Sequence, residues 1–123
     1  MASLTALVAD DSLSARELLG NALQQAGFTV TESKDGDDAW QLAISNHYDI
    51  VLADLYLPKL DGIALTSRLR QHPDYITTPI LAVSSNKASG KKEAIREAGA
   101  SGLIRLPITP AELLAVLQKL LPV

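Results

Sequence analysis

One alternation, repeated five times, limits what this chain can fold into. Apolar, β-prone segments at residues 4–9, 28–31, 50–53, 79–83 and 102–105 are each followed by a helix-like segment. The first, third and fourth are nearly continuous apolar runs, with no polar residue on every second position. Strands of that kind are covered on both faces, so five βα units imply a parallel sheet with helices on each side. A chain of 123 residues holds one such domain, expected to span 1–123, and its 47% hydrophobic content is enough to bury a core.

The helices carry their own signals. Ala15, Leu18, Leu19, Ala22, Leu23 and Ala26 fall on one stripe of a first helix, which Gly27 ends. Asp35 and Asp38 cap a second helix holding Ala39, Leu42 and Ala43, a third runs from about residue 62 to 70, and a fourth from about 91 to 98. Thr109, Pro110 and Glu112 place an N-cap, a first-turn proline and a capping-box acid in register for a fifth, with Leu113, Val116, Leu117 and Leu120 as its core stripe.

Composition removes several function classes. A formal charge of -3 offers no footprint for DNA, RNA or an anionic membrane. With no cysteine there is no disulfide, thiolate zinc site or cysteine nucleophile. Residues 1–5 lack the features of a signal peptide, and no apolar stretch approaches the roughly 20 residues that span a bilayer, so a cytoplasmic protein is expected.

In an open parallel sheet, ligands sit outside the carboxyl ends of the strands. The first strand ends in Asp10 and Asp11, the third in Asp54, the fourth in Ser84 and Ser85, and the fifth in Leu106 and Pro107. A single aspartate there is ordinarily a helix cap or turn former. Three together are harder to account for, because Ser14 and Glu17 are expected to cap the first helix and leave Asp10 and Asp11 surplus. Clustered carboxylates repel and raise one another's pKa, and a hard cation such as Mg²⁺ is the natural compensation. An aspartate beside such a cation is a competent nucleophile toward a phosphoryl group.

Four blocks then make the chain recognisable: VADD at 8–11, LADLYLPKLDG at 52–62, AVSS at 82–85 and GASG at 99–102. With spacings that match without insertions, the sequence resembles the CheY-like receiver domains of two-component response regulators along essentially its whole length. The resemblance implies a flavodoxin-like (βα)5 fold, a five-stranded parallel sheet in the order 2-1-3-4-5. It implies that Asp54 is the phosphoacceptor, that Asp10, Asp11, Asp54 and the Tyr56 main-chain carbonyl hold Mg²⁺, and that Ser84 is the switch hydroxyl. Pro58 and Gly62 would shape the loop after the third strand.

Two positions depart from the family pattern. Leu106 stands where the family has a lysine before the proline, here Pro107, and Leu103 stands where a switch aromatic is expected. Arg105 points to the opposite face from Leu106 by strand alternation, which leaves Lys87 as the more plausible substitute cation.

Other signals have plainer readings. Ser89, Gly90 and Lys91 lack the remaining residues of a phosphate loop, and acids after the first strand argue against flavin. His47 and His72 read as surface residues near helix ends. Lys87, Lys91, Lys92 and Arg96, interleaved with Glu93 and Glu97, read as a solvated face, while Leu114 and Leu121 lie off the last helix's core stripe and favour an apolar contact there.

The expectation is therefore a stand-alone receiver that takes phosphate from a sensor histidine kinase or phosphotransfer protein, and is no enzyme beyond its own phosphoryl transfer and dephosphorylation. It would be a monomer or weak homodimer and would contact a target protein through helix 4, strand 5 and helix 5. The alternative is a pseudo-receiver acting as a phosphorylation-independent adaptor, because Leu103 and Leu106 disable the switch.

Overall fold

The computed structural model describes residues 4–84 and 91–121. Five strands, β1 (Thr5–Ala9), β2 (Thr29–Ser33), β3 (Ile50–Asp54), β4 (Ile80–Ser84) and β5 (Gly102–Arg105), alternate with helices α1 (Leu13–Gln25), α2 (Gly36–Ser45), α3 (Gly62–Arg70), α4 (Lys92–Ala98) and α5 (Pro110–Leu120). All neighbouring strands pair in parallel, in the order β2-β1-β3-β4-β5. The three central strands β1, β3 and β4 are the continuous apolar runs. Every residue of β3 and β4 is buried, as strands covered on both faces must be.

Two main cores lie on the two faces of the sheet. Ala6, Val8, Ile50, Leu52, Leu81 and Val83 meet Leu19 and Leu23 of α1 and Leu113 and Leu117 of α5. Leu7, Ala9, Val51, Ala53 and Ile80 meet Ala39 and Ala43 of α2 and Leu65 and Leu69 of α3. A smaller third cluster, Leu55, Ala82 and Ile95, lies under α4. The alternation of Cβ direction along each strand divides the residues between the faces.

The expected caps hold at two helices and fail at one. Asp35 accepts from the Asp38 NH at 2.7 Å, and Thr109 with Glu112 closes a complete capping box. The third helix has the expected bounds and is capped by Asp61. At α1, however, Ser12 is the N-cap, accepting from the Ala15 NH at 3.3 Å, and Ser14 lies inside the helix. The expected Ser14 and Glu17 box is thus displaced by two residues: Asp10 turns back to take the Ser12 NH at 2.9 Å, which fixes the chain so that the helix begins earlier. Helix α4 begins at Lys92, one residue later than expected, and has no side-chain cap.

A 3-10 turn at Pro73–Tyr75 has no counterpart in the sequence reading. It inserts Tyr75, which is fully buried and donates its hydroxyl to the Ala43 and Asn46 carbonyls at 2.6 and 3.0 Å. His72 joins it rather than standing free on the surface: its ring lies between Trp40 and Tyr75, and its Nδ1 accepts the Asp74 NH. His47 is exposed, as expected, with Nε2 3.0 Å from Asp49. Leu114 is exposed, whereas Leu121 packs against the core on the α1 and α5 side.

Candidate metal and phosphoacceptor site

The carboxyl ends of β1 and β3 are adjacent, since Ala9 pairs with Ala53. The next residue on each strand is therefore an acid: Asp10 follows β1, and Asp54 ends β3 itself. Asp11 follows on the outside. One carboxylate oxygen from each of Asp10, Asp11 and Asp54 lies within 4.8 Å of the others, and among the described residues this is the one cluster of its kind. Asp10 and Asp54 are only 4% and 9% exposed, while Asp11 is open to solvent.

Among the described residues, few donors reach the buried pair. Asp10 takes the Ser12 NH, and Asp54 takes the Tyr56 NH at 3.4 Å. Burial, followed by the charge on Asp10, pushes the Asp54 pKa up to about 6. Burial also raises Asp10, against the Ser12 hydrogen bond. These are hard, all-oxygen donors crowded together with an open side for water, which is the donor set Mg²⁺ prefers. The cluster thus fits a small divalent cation.

The loop after β3 is built around two close approaches. The Gly62 NH donates to the Leu55 carbonyl at 3.1 Å, and a Cβ at Gly62 would lie 2.2 Å from the Asp54 carbonyl oxygen. Gly36 donates to the Pro58 carbonyl at 3.0 Å, and a Cβ there would meet the Leu60 carbonyl at 1.7 Å. Lys59, at φ 70, turns the loop between them and lies 3.6 Å from Asp35. Pro58 and Gly62 do shape this loop. Gly36 is a partner that the sequence reading left out.

On the other side of Asp54, β3 pairs Asp54 with Val83, which puts Ser84 one residue further along β4. Ser84 is 1% exposed, and its carbonyl accepts the Leu106 NH at 2.8 Å. The Leu106 side chain packs against the core on the α1 and α5 side, and Pro107 follows it through a cis peptide. Leu103 packs on the opposite face, against the Leu55, Ala82 and Ile95 cluster, and Arg105 is exposed. Lys87, Ser85, Ser89 and Gly90 lie outside the described residues.

This arrangement, acids at the ends of β1 and β3 with a hydroxyl at the end of β4, coincides with a match to the response regulator receiver domain over residues 6–118. The chain belongs to that family. The receiver is 32% identical to the chemotaxis protein CheY4 of Vibrio cholerae, with a TM-score of 0.90 over 98% of this chain and 100% of that one. It is 30% identical to the receiver domain of the sensor histidine kinase PA1611 of Pseudomonas aeruginosa, at a TM-score of 0.88 over 97% and 98% of the two chains. That structure has a magnesium ion coordinated in its active site cleft. The transcriptional regulatory protein SrrA of Staphylococcus aureus is 33% identical over 115 residues, 94% of this chain and 46% of SrrA, so the receiver spans a little under half the length of that relative.

One charged residue at the receiver's rim escaped the sequence reading. Arg16 sits inside α1 yet is buried, its Nη1 donating to the Asp10 carbonyl at 2.8 Å and its Nε to Glu32 at 3.0 Å. It falls beside the apolar stripe of α1, where periodicity assigns an arginine to solvent. Only the crossing of α1 over β2 brings Glu32 to it.

Proposed function

We propose that this receiver accepts a phosphoryl group on Asp54 from a histidine kinase or phosphotransfer protein, in a Mg²⁺-dependent reaction, and passes the signal on by protein contact. The convergence of Asp10 and Asp11 on Asp54 at the end of β3 carries this reading. Asp10, Asp11, Asp54 and the Tyr56 main-chain carbonyl would hold Mg²⁺, which when bound neutralises charge on the phosphoryl oxygens. An Asp54 carboxylate oxygen attacks phosphorus, the bond from phosphorus to the donor nitrogen breaks, and the leaving imidazole keeps its electron pair and takes a proton.

The chain's residues position the nucleophile. The Tyr56 NH orients Asp54, and the Gly62 contact fixes the backbone behind it. Ser84 is the hydroxyl assigned to the phosphoryl group. Helix α4, β5 and α5 are the surface assigned to the target protein. Leu106 supplies no cation, so the acid cluster depends on Mg²⁺ and on whatever other positive charge the fold brings near.

Intact mass after incubation with acetyl phosphate and Mg²⁺ tests the reading. One added phosphoryl group in the wild type and none in Asp54→Asn supports it. A wild type left unmodified under conditions that label another receiver overturns it in favour of a phosphorylation-independent adaptor.

A further inference from the structure

Among the described residues, Arg16 is one of seven buried polar or charged residues, and it lies beside the acid cluster. Its side chain is 9% exposed, whereas that of its partner Glu32 is 47% exposed. The guanidinium spans two strands: Nε binds the Glu32 carboxylate on β2 and Nη1 binds the main-chain carbonyl of Asp10 beyond β1. The fork geometry of arginine allows both contacts at once.

Leu106 is apolar and packs against the core, so position 106 carries no ammonium for the cluster. Arg16 approaches from the side of α1 and β2. Glu32 binds Arg16 on the side away from Asp10, so the groups form a row of alternating formal charge: acids, guanidinium, carboxylate.

We propose that Arg16 is an electrostatic positioning residue of the acid cluster, the built-in counter-charge that position 106 does not supply, with Glu32 setting how much of that charge the cluster feels. This rests on the cluster being a Mg²⁺ site. Arg16 touches neither the metal nor the phosphoryl group. It acts through Asp10, whose carbonyl it holds beside the acid cluster.

The two halves of the pair affect the cluster with opposite sign. Removing the guanidinium charge makes the site more negative and Mg²⁺ binding tighter. Removing the Glu32 charge leaves Arg16 uncompensated and makes Mg²⁺ binding weaker. A pair that is only structural behaves differently, since either substitution breaks the same hydrogen-bonded ion pair and disturbs the site in the same direction.

The experiment is Mg²⁺ titration of the metal-free full chain by calorimetry at low ionic strength, with melting temperature in EDTA as a second readout. For a divalent ion within several ångströms of a unit charge, the expected change in Kd is about two- to fivefold. Arg16→Gln should lower the Kd by that factor and lower the melting temperature in EDTA more than in saturating Mg²⁺. Glu32→Gln should raise the Kd by a similar factor. Arg16→Lys, which keeps the charge and loses the fork, should return the Kd to the wild-type value. If Arg16→Gln does not fold without metal, Glu32→Gln decides alone: an unchanged or tighter Kd overturns the proposal. So does movement of both glutamine variants in the same direction. A wild type that binds no Mg²⁺ overturns instead the metal site itself, an outcome separate from any ordering of the variants.

Discussion

The first residue of α3, Gly62, is packed against the backbone of the acceptor Asp54 so closely that a Cβ would stand 2.2 Å from the Asp54 carbonyl oxygen and 2.8 Å from its carbonyl carbon. Backbone, unlike the far end of a side chain, cannot yield at that distance. The glycine that ends the LPKLDG segment is there for close approach, since no left-handed backbone is involved.

Gly62→Ala should therefore displace α3 or the end of β3, lowering stability by about 1–3 kcal/mol, the usual range for overpacking, or by more if neither can move. Denaturant midpoints measure this. Gly20→Ala is the control: its Cβ would meet only Val30 and Glu32 atoms at 3.9–4.0 Å, in a helix interior, and should stabilise by about 0.5–1 kcal/mol. Equal losses at the two sites would contradict the close-approach account.

The raised pKa of Asp54 gives a stability profile with a definite sign. In the folded protein Asp54 holds its proton up to about pH 6, against 3.8 for the ordinary value, so the fold favours the protonated form. Its contribution is fully present below the lower value and lost as pH rises through the upper one. In EDTA, Asp54→Asn should be no more stable than wild type near pH 4 and more stable above pH 7. The gain should be on the order of 2 kcal/mol, allowing for solvent screening at the rim. Saturating Mg²⁺ should remove the advantage. Melting curves across pH, with and without Mg²⁺, check both statements.

Leu106→Lys would place an ammonium next to the acids while its methylene stem retains part of the apolar contact. The rise in melting temperature on adding Mg²⁺ should shrink, because lysine and metal compensate the same charge. A charge-assisted contact to the phosphoryl group is worth about 1.5–3 kcal/mol, so phosphorylation-dependent NMR shifts on α4, β5 and α5 should grow. Full-sized shifts in the wild type that the variant leaves unchanged would mean that another group makes the contact.

Tyr56 is 55% exposed, and its NH donates to the Asp54 carboxylate, two residues before it in the chain. If the ring shields the acyl phosphate from water, the phosphoryl half-life should fall several-fold in Tyr56→Asn. Radiolabel decay at fixed Mg²⁺ measures it, and an equal or longer half-life would exclude shielding.

The parallel sheet was legible because burial on both faces leaves continuous apolar runs, and the helices were legible because α1 and α5 repeat at helical spacing. The three aspartates were legible for a related reason: Asp10 directly follows an apolar strand with Asp11 next to it, and Asp54 ends another, so the rule that ligands collect at the carboxyl ends of a parallel sheet places them together before any coordinates are known. Family resemblance added the strand order, which the comparisons and the sheet pairing bear out.

What escaped the sequence depends on contacts between elements. Ser12, two residues before the expected cap, became the N-cap of α1 because Asp10 accepts its NH, a choice between neighbouring polar residues that composition leaves open. The 3-10 turn that buries Tyr75 depends on carbonyls of α2 and of Asn46 just after it, 32 and 29 residues away. Gly36 owes its role to the Leu60 carbonyl in a different loop.

By itself, then, the sequence determined which strands are buried, where the helices lie and that three carboxylates share one rim, because periodicity and strand ends are local properties. Only the tertiary structure decided that Arg16 is buried against Asp10 and Glu32, that Leu106 turns into the core and that Gly62 touches Asp54. Each of these depends on the distance between groups that the chain brings together only once it has folded.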